Sequence, residues 1–263
     1  MKLPRLDREE ALLLVFSALI TQAVFLILAL VGSMVLEGLS TGDWFYAIVQ
    51  FGWIASLADS IQALPPHQTL IAALALGVVV FLLVDLTEKR TAKNEEAQRC
   101  IIESHQGLHG ELPRLPILVI VILMSITGIC EELLFRYVLM GLILQLFSGL
   151  IGAIAAAVIA VIVSTTLFCF AHTGTQGNGS LLIWISLGLI FSVVFAVTNS
   201  IALVIIAHAL YDILVLLALR MEMYRDPKAF FGGFIPTRTL IDAEIAKNTK
   251  NNDAKDPNTQ TNE

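Results

Sequence analysis

The sequence predicts an all-α protein, a polytopic membrane bundle of about six transmembrane helices with one further helix lying at the interface. Three observations lead there. The chain of 263 residues is 57% hydrophobic and 14% charged, with a mean hydropathy of +0.81, too apolar for an ordinary soluble domain. Six of its apolar runs are about 17 to 32 residues long, enough for a helix to cross a bilayer. Lys and Arg gather in alternate connections between those runs, the pattern of the positive-inside rule. The net charge of −6 is spread over loops and tail, and no basic stripe offers a nucleic-acid surface, so the bilayer is the partner that composition implies. Cys100, Cys130 and Cys169 show no ligand spacing; free thiols are expected rather than a disulfide framework or a zinc cluster.

In chain order, residues 1–10 form a cytoplasmic N-terminus carrying Lys2, Arg5 and Arg8. The apolar run Ala11 to Leu36 is too long for a signal-peptide core and has no clear small-residue cleavage site, so it is expected to stay as the first span. Residues 11–115 hold the first two spans. Between them the stretch Trp44 to Leu64, with Trp44, Phe45, Tyr46 and Trp53 and no Lys or Arg, suits a helix at the interface, closed by Pro65 and Pro66. The second span covers about Thr69 to Leu86, and a basic cytoplasmic loop follows over 87–115, with Lys89, Arg90, Lys93, Arg99 and Arg114.

Residues 116–220 form the domain that carries the chemistry. Its spans are Pro116 to Phe147, with Gly128 and Gly141 as candidate weak points, Leu150 to Ala171 after a Ser148-Gly149 turn, Leu181 to Val197, and Ile201 to Leu219. A polar, glycine-rich loop is expected from Thr173 to Ser180. Residues 221–263 make a polar tail, disordered from about Lys247. Six spans place both termini in the cytoplasm. The expected location is that of an integral multi-pass membrane protein, in the cell membrane if the chain is bacterial.

Within the third span stand Glu131, Glu132 and Arg136. An ionised side chain at the centre of a membrane helix costs about 2.5 to 3.5 kcal/mol on insertion scales, so such a set needs partners and a function. Glu132 and Arg136 are four residues apart with the acid first, the favourable order for an intrahelical pair. Glu131 points about 100° away, toward a proton, a water or another helix. A purely structural ion network accounts for Glu132 and Arg136 but leaves Glu131 over. Two further pairs stand at the same spacing, Phe168 with His172 and His208 with Asp212. Taken singly, a His near a helix end is most often a hydrogen-bonded structural residue. Depth argues for more: counted from the Ser148-Gly149 turn, Glu131 lies 17 residues back and His172 23 forward, a mismatch of roughly 9 Å of rise that a modest tilt removes.

A shared polar pocket of Glu131, Glu132, Arg136, His172, His208 and Asp212 follows. It holds the parts for hydrolysis, namely a carboxylate and an imidazole to activate water and a second imidazole to donate to an oxyanion. The same groups also suit a proton or ion pathway, although no inverted repeat accompanies them. No Gly-x-Ser-x-Gly nucleophile is present, and Ser164, Thr165 and Thr166 suit back-bonding to their own helix. The zinc-protease pattern HExxH is missing, so no cofactor is expected, while a divalent metal such as zinc stays open as an alternative.

Taken in order on successive membrane helices, Glu131-Glu132-x-x-x-Arg136, Phe168-x-x-x-His172 and His208-x-x-x-Asp212 resemble the three motifs of the CAAX protease and bacteriocin-processing family, which includes type II prenyl-protein endopeptidases and bacterial abortive-infection membrane proteins. The resemblance covers about Pro116 to Leu219. It implies an intramembrane endopeptidase that cleaves a membrane-associated, prenylated or leader-peptide substrate without a required metal. Carried onto this chain, Glu131 is the general base with His172, Glu132, Arg136 and Phe168 support the site, and His208 with Asp212 forms the oxyanion hole. Two departures stand out. Tyr137 occupies a position that is commonly Gly in the family, and Asp212 stands where the eukaryotic enzymes have Asn; an ionised Asp cannot donate a hydrogen bond. Family membership does not guarantee activity, so a catalytically silent immunity or assembly protein is the alternative from another class.

Overall fold

The computed structural model describes residues 6, 8–91, 111–176 and 181–225. Most of the basic loop after Thr91, Cys100, residues 177–180 and the tail beyond Arg225 lie outside the described residues. The rest is a helical membrane bundle. Six helical segments are long and apolar enough to cross a membrane. Large side chains project from their outer faces, including Leu13, Leu118, Leu150, Ile154 and Val197, each at least 70% exposed. So wide an apolar girdle is stable against lipid and not against water.

The first span, α1, runs over Arg8–Thr41, longer than the apolar run at both ends, with Glu9 and Glu10 suited to its first turn. The stretch expected at the interface is built as two short helices, α2 (Trp44–Ile48) and α3 (Trp53–Ile61). Asp43 caps α2 by accepting from the Tyr46 backbone N–H at 2.9 Å. Neither helix approaches the length of a span. Helix α4 covers Pro66–Thr91, with Pro66 opening the helix at its first position.

After a 3₁₀ turn at Leu112–Arg114, α5 (Ile117–Glu132) passes into a π-helical stretch over Leu133–Met140 and then into α6 (Gly141–Ile151). The three form one continuous helical segment of 35 residues, Ile117–Ile151, about 52 Å long and far longer than the hydrocarbon core. The irregularity falls on Leu133–Met140 and ends at Gly141. Gly128 is a point of close packing, where an added Cβ would lie 3.2 Å from both the Ala209 nitrogen and the Ile205 carbonyl oxygen. The π geometry has a tertiary partner: Ser164 donates its hydroxyl to the Phe135 carbonyl at 2.9 Å.

The chain does not turn at Ser148-Gly149. Ser148 Oγ bonds back to the Leu144 carbonyl within the helix at 2.5 Å, and the reversal falls on Gly152, whose φ of 86° is a left-handed conformation suited to glycine. Helix α7 then covers Ala153–Gln176, so His172 sits on helix rather than at the mouth of a loop. Helix α8 (Leu181–Thr198) and α9 (Ile201–Arg225) complete the bundle, joined by a turn in which Asn199 holds a φ of 52°, a conformation Asn tolerates better than most residues.

The core is one large cluster around Phe135, Met140, Phe168, Phe191, Val204 and Ala207. Tyr137 is buried within it at 8% exposure, so the bundle accommodates a large ring there. A second cluster, with Leu14, Leu115, Ile120, Leu123 and Leu216, closes the end of the bundle where α1 and α5 begin and α9 ends. At that end Arg220 donates to the carbonyls of Pro113 at 2.7 Å and Leu115 at 2.6 Å, tying α9 to the turn before α5. Toward the other end, α3 lies against the α8–α9 turn, with Ser60 Oγ donating to the Asn199 carbonyl at 2.8 Å.

Candidate active site

The reversal at Gly152 brings the site to one level. Glu131 is 20 residues before Ile151 and His172 is 19 after Ala153, so their heights along the antiparallel pair agree to within about one residue of rise, and the mismatch expected from a Ser148-Gly149 turn disappears. His208 and Asp212, one turn apart on α9, face the same space.

All seven residues singled out in the sequence come together. Glu131, Glu132, Arg136, Phe168 and His208 are buried, while the side chains of His172 and Asp212 retain 14% and 18% exposure. The site is therefore most open on the side of those two residues.

Glu132 holds the inner half. Its Oε1 accepts from Arg136 Nη1 at 2.8 Å and from His208 Nδ1 at 2.6 Å. Both carboxylate and guanidinium are fully buried, a pairing stable only because each charge meets an opposite charge or a donor. Arg136 also donates to the Gly188 carbonyl at 3.4 Å, and its guanidinium carbon lies 4.5 Å above the Phe168 ring, a cation–π contact at a fully buried charge.

Glu131 faces the outer half. Its Oε2 is 3.6 Å from His172 Nε2 and 3.9 Å from His208 Nε2, too far for direct hydrogen bonds and close enough for one water to touch all three atoms from the side. His208 Nε2 is 3.5 Å from Asp212 Oδ2. Since Nδ1 of His208 donates to Glu132, Nε2 of the same ring donates only when the ring carries both protons. His172 Nδ1 bonds the Phe168 carbonyl at 2.8 Å, which leaves Nε2 turned toward Glu131. The His172 ring is held between Phe168, at 4.3 Å between centroids, and Trp184, stacked at 4.6 Å and 23°. Phe191 stacks on His208 at 5.2 Å and 19°.

The arrangement can activate a water between a carboxylate and an imidazole and present a second imidazole to developing negative charge. Among the described residues, no group of three or more His, Cys, Asp and Glu side chains is disposed to hold a metal ion. Cys130 and Cys169 are buried free thiols.

Three contributors were not singled out in the sequence: Gln22 of α1 and Trp184 and Phe191 of α8; Ser164 of α7, expected to bond back to its own helix, instead donates to the Phe135 carbonyl of the π-helical stretch. Gln22 donates Nε2 to Glu131 Oε1 at 3.3 Å, and it is the one side-chain amide in the apolar run from Ala11 to Leu36, a signal available in the sequence. The aromatic residues carry no such signal in a chain rich in apolar residues.

Residues 113–214 match the family described as type II CAAX prenyl endopeptidase Rce1-like. The matched segment contains all seven motif residues and leaves α1 to α4 outside it. No curated protein and no solved structure matches the chain.

Proposed function

We propose, from the match of residues 113–214 to the type II CAAX prenyl endopeptidase Rce1-like family, that the chain is a CAAX-type intramembrane protease, a glutamate-dependent endopeptidase whose base is Glu131. The observation that carries this is the placement of Glu131 Oε2 at 3.6 Å from His172 Nε2 and 3.9 Å from His208 Nε2. A water seated there gives a proton to the Glu131–His172 pair as its oxygen attacks the scissile carbonyl carbon. The carbonyl oxygen, now negative, takes a hydrogen bond from His208 Nε2–H, with Asp212 beside that ring. Collapse of the tetrahedral intermediate breaks the C–N bond, and the proton held by Glu131 and His172 passes to the leaving amine.

Glu132, Arg136 and Phe168 support the site by fixing His208 and filling the space beneath it. The substrate is a membrane-associated peptide or protein, prenylated or bearing a leader, that enters past His172 and Asp212. The reaction uses no cofactor, and both termini lie in the cytoplasm.

Glu131→Gln tests the base directly. It keeps the shape and removes the carboxylate, so a folded protein with an unchanged Tm and cleavage reduced by at least about 10²-fold is expected, with His172→Ala resembling it. A folded Glu131→Gln protein that cleaves at the wild-type rate would move the pocket to a non-catalytic or ion-conducting role.

A further inference from the structure

Helix α1 lies outside the segment that matches the protease family, yet it reaches the reacting carboxylate. Gln22 is 6% exposed, and its Nε2 donates to Glu131 Oε1 at 3.3 Å. That orientation of the amide is the one that sets a donor against an ionised carboxylate; turned over, it would set oxygen against oxygen. The other Glu131 oxygen, Oε2, faces His172 and His208. The Oε1 of Gln22 is buried and makes no hydrogen bond among the described residues, a costly state for an amide inside an apolar helix.

We propose that Gln22 is a positioning residue for Glu131, pinning Oε1 of the carboxylate so that Oε2 is presented to the water between the two imidazoles, and that α1 thereby completes a site the matched segment does not complete alone. This rests on Glu131 being the base. A carboxylate on a glutamate side chain rotates about its terminal bond with little preference. With His172 and His208 both on the Oε2 side, a single donor on the Oε1 side fixes that rotation. The neutral amide supplies it without adding a charge to a site that already holds Glu131, Glu132, Arg136 and Asp212.

The test uses the full chain in detergent or nanodiscs, with Gln22→Leu and Gln22→Met. Both delete the amide and differ in shape, so an effect of packing differs between them and an effect of the hydrogen bond does not. The expected result is an unchanged Tm, a kcat lowered about tenfold or more, a KM within about twofold of wild type, and a displaced carboxylate stretching band for Glu131 in infrared difference spectra. The Glu131→Gln protein assigns that band. An unmoved band, an unchanged kcat, a loss confined to KM, or unequal effects of Leu and Met that follow Tm would each overturn the proposal. The infrared band reads the contact even where Glu131→Gln leaves cleavage intact, so failure of the general-base reading and failure of this one give different results.

Discussion

Glu132 and His208 are joined by a 2.6 Å hydrogen bond from His208 Nδ1 to Glu132 Oε1, which makes the buried carboxylate of the third span the anchor of an imidazole on the sixth. The same oxygen also takes Arg136 at 2.8 Å, so one atom fixes two helices. The two adjacent glutamates therefore differ. Glu132→Ala strands a fully buried guanidinium and frees His208, at a cost on the order of 3 to 5 kcal/mol. Low expression and a clearly lowered Tm are expected, against a normal Tm for Glu131→Gln. Equal melting temperatures for Glu132→Ala and wild type would show that the pair does not hold the fold.

The π-helical stretch over Leu133–Met140 has a similar dependence on a distant residue. Ser164 Oγ donates to the Phe135 carbonyl at 2.9 Å, and Ser192 Oγ lies 3.4 Å from Ser164 Oγ, so a short chain of hydroxyls from α8 and α7 ends on that carbonyl. Ser164→Ala removes the bond for a loss of about 1 kcal/mol, read as a lower Tm, and Ser164→Thr, which keeps a hydroxyl, recovers part of it. A Tm for Ser164→Ala equal to that of wild type would remove this contact as a support of the π turn.

These pairs mark the limit of what the sequence carries. Glu132 with Arg136, Phe168 with His172 and His208 with Asp212 are legible because a helix sets residues four apart on one face, and the bundle only had to preserve local geometry. Which glutamate receives His208 is a tertiary fact: it depends on how α5 is rotated against α9, with Gly128 allowing the two backbones to approach. The Ser148-Gly149 pair has the composition of a turn, but Ser148 satisfies its hydroxyl on Leu144 inside the helix and the reversal waits for Gly152. The π stretch has no local signature, since the hydroxyl that meets it comes from Ser164, 29 residues away. Gln22 is separated from Glu131 by 109 residues, and its rarity in an apolar run, the one local signal for it, is not enough to single it out.

Cleavage is expected to persist in strong chelators. A water activated by Glu131 and His172 needs no Lewis acid, and no contiguous metal-binding motif is present in the chain. The measurement is product formation by purified protein before and after exhaustive EDTA or phenanthroline treatment. Loss of activity that zinc restores would transfer the chemistry to the metal-assisted class.

Orientation is decided by charge. Arg220 and Arg225 end α9, and Lys2, Arg5 and Arg8 precede the apolar run of α1, so both ends are expected in the cytoplasm. Reporter fusions after Arg225 and after Thr41 should give cytoplasmic and external signals respectively. The reverse pair, or an external signal at Arg225, would refute the topology.

Asp212 separates two ways of serving the oxyanion. Its Oδ2 is 3.5 Å from His208 Nε2, and its side chain is 18% exposed, the most open of the ionisable groups in the site. His208 Nδ1 is already committed to Glu132, so the ring donates through Nε2 only while doubly protonated. A carboxylate beside Nε2 favours that charged ring through its own negative charge, whereas an amide offers only a dipole. If Asp212 acts on the ring in this way, Asp212→Asn keeps size and hydrogen bonding, leaves Tm unchanged and lowers kcat about tenfold, a change of about 1.4 kcal/mol in the barrier. Asp212→Leu, which removes every polar atom, lowers it further, by about 10²-fold. The opposite outcome is equally sharp. An Asp212→Asn protein as active as wild type, or more active, would mean that residue 212 serves as a donor to the oxyanion itself, and that the wild-type carboxyl works in its protonated form.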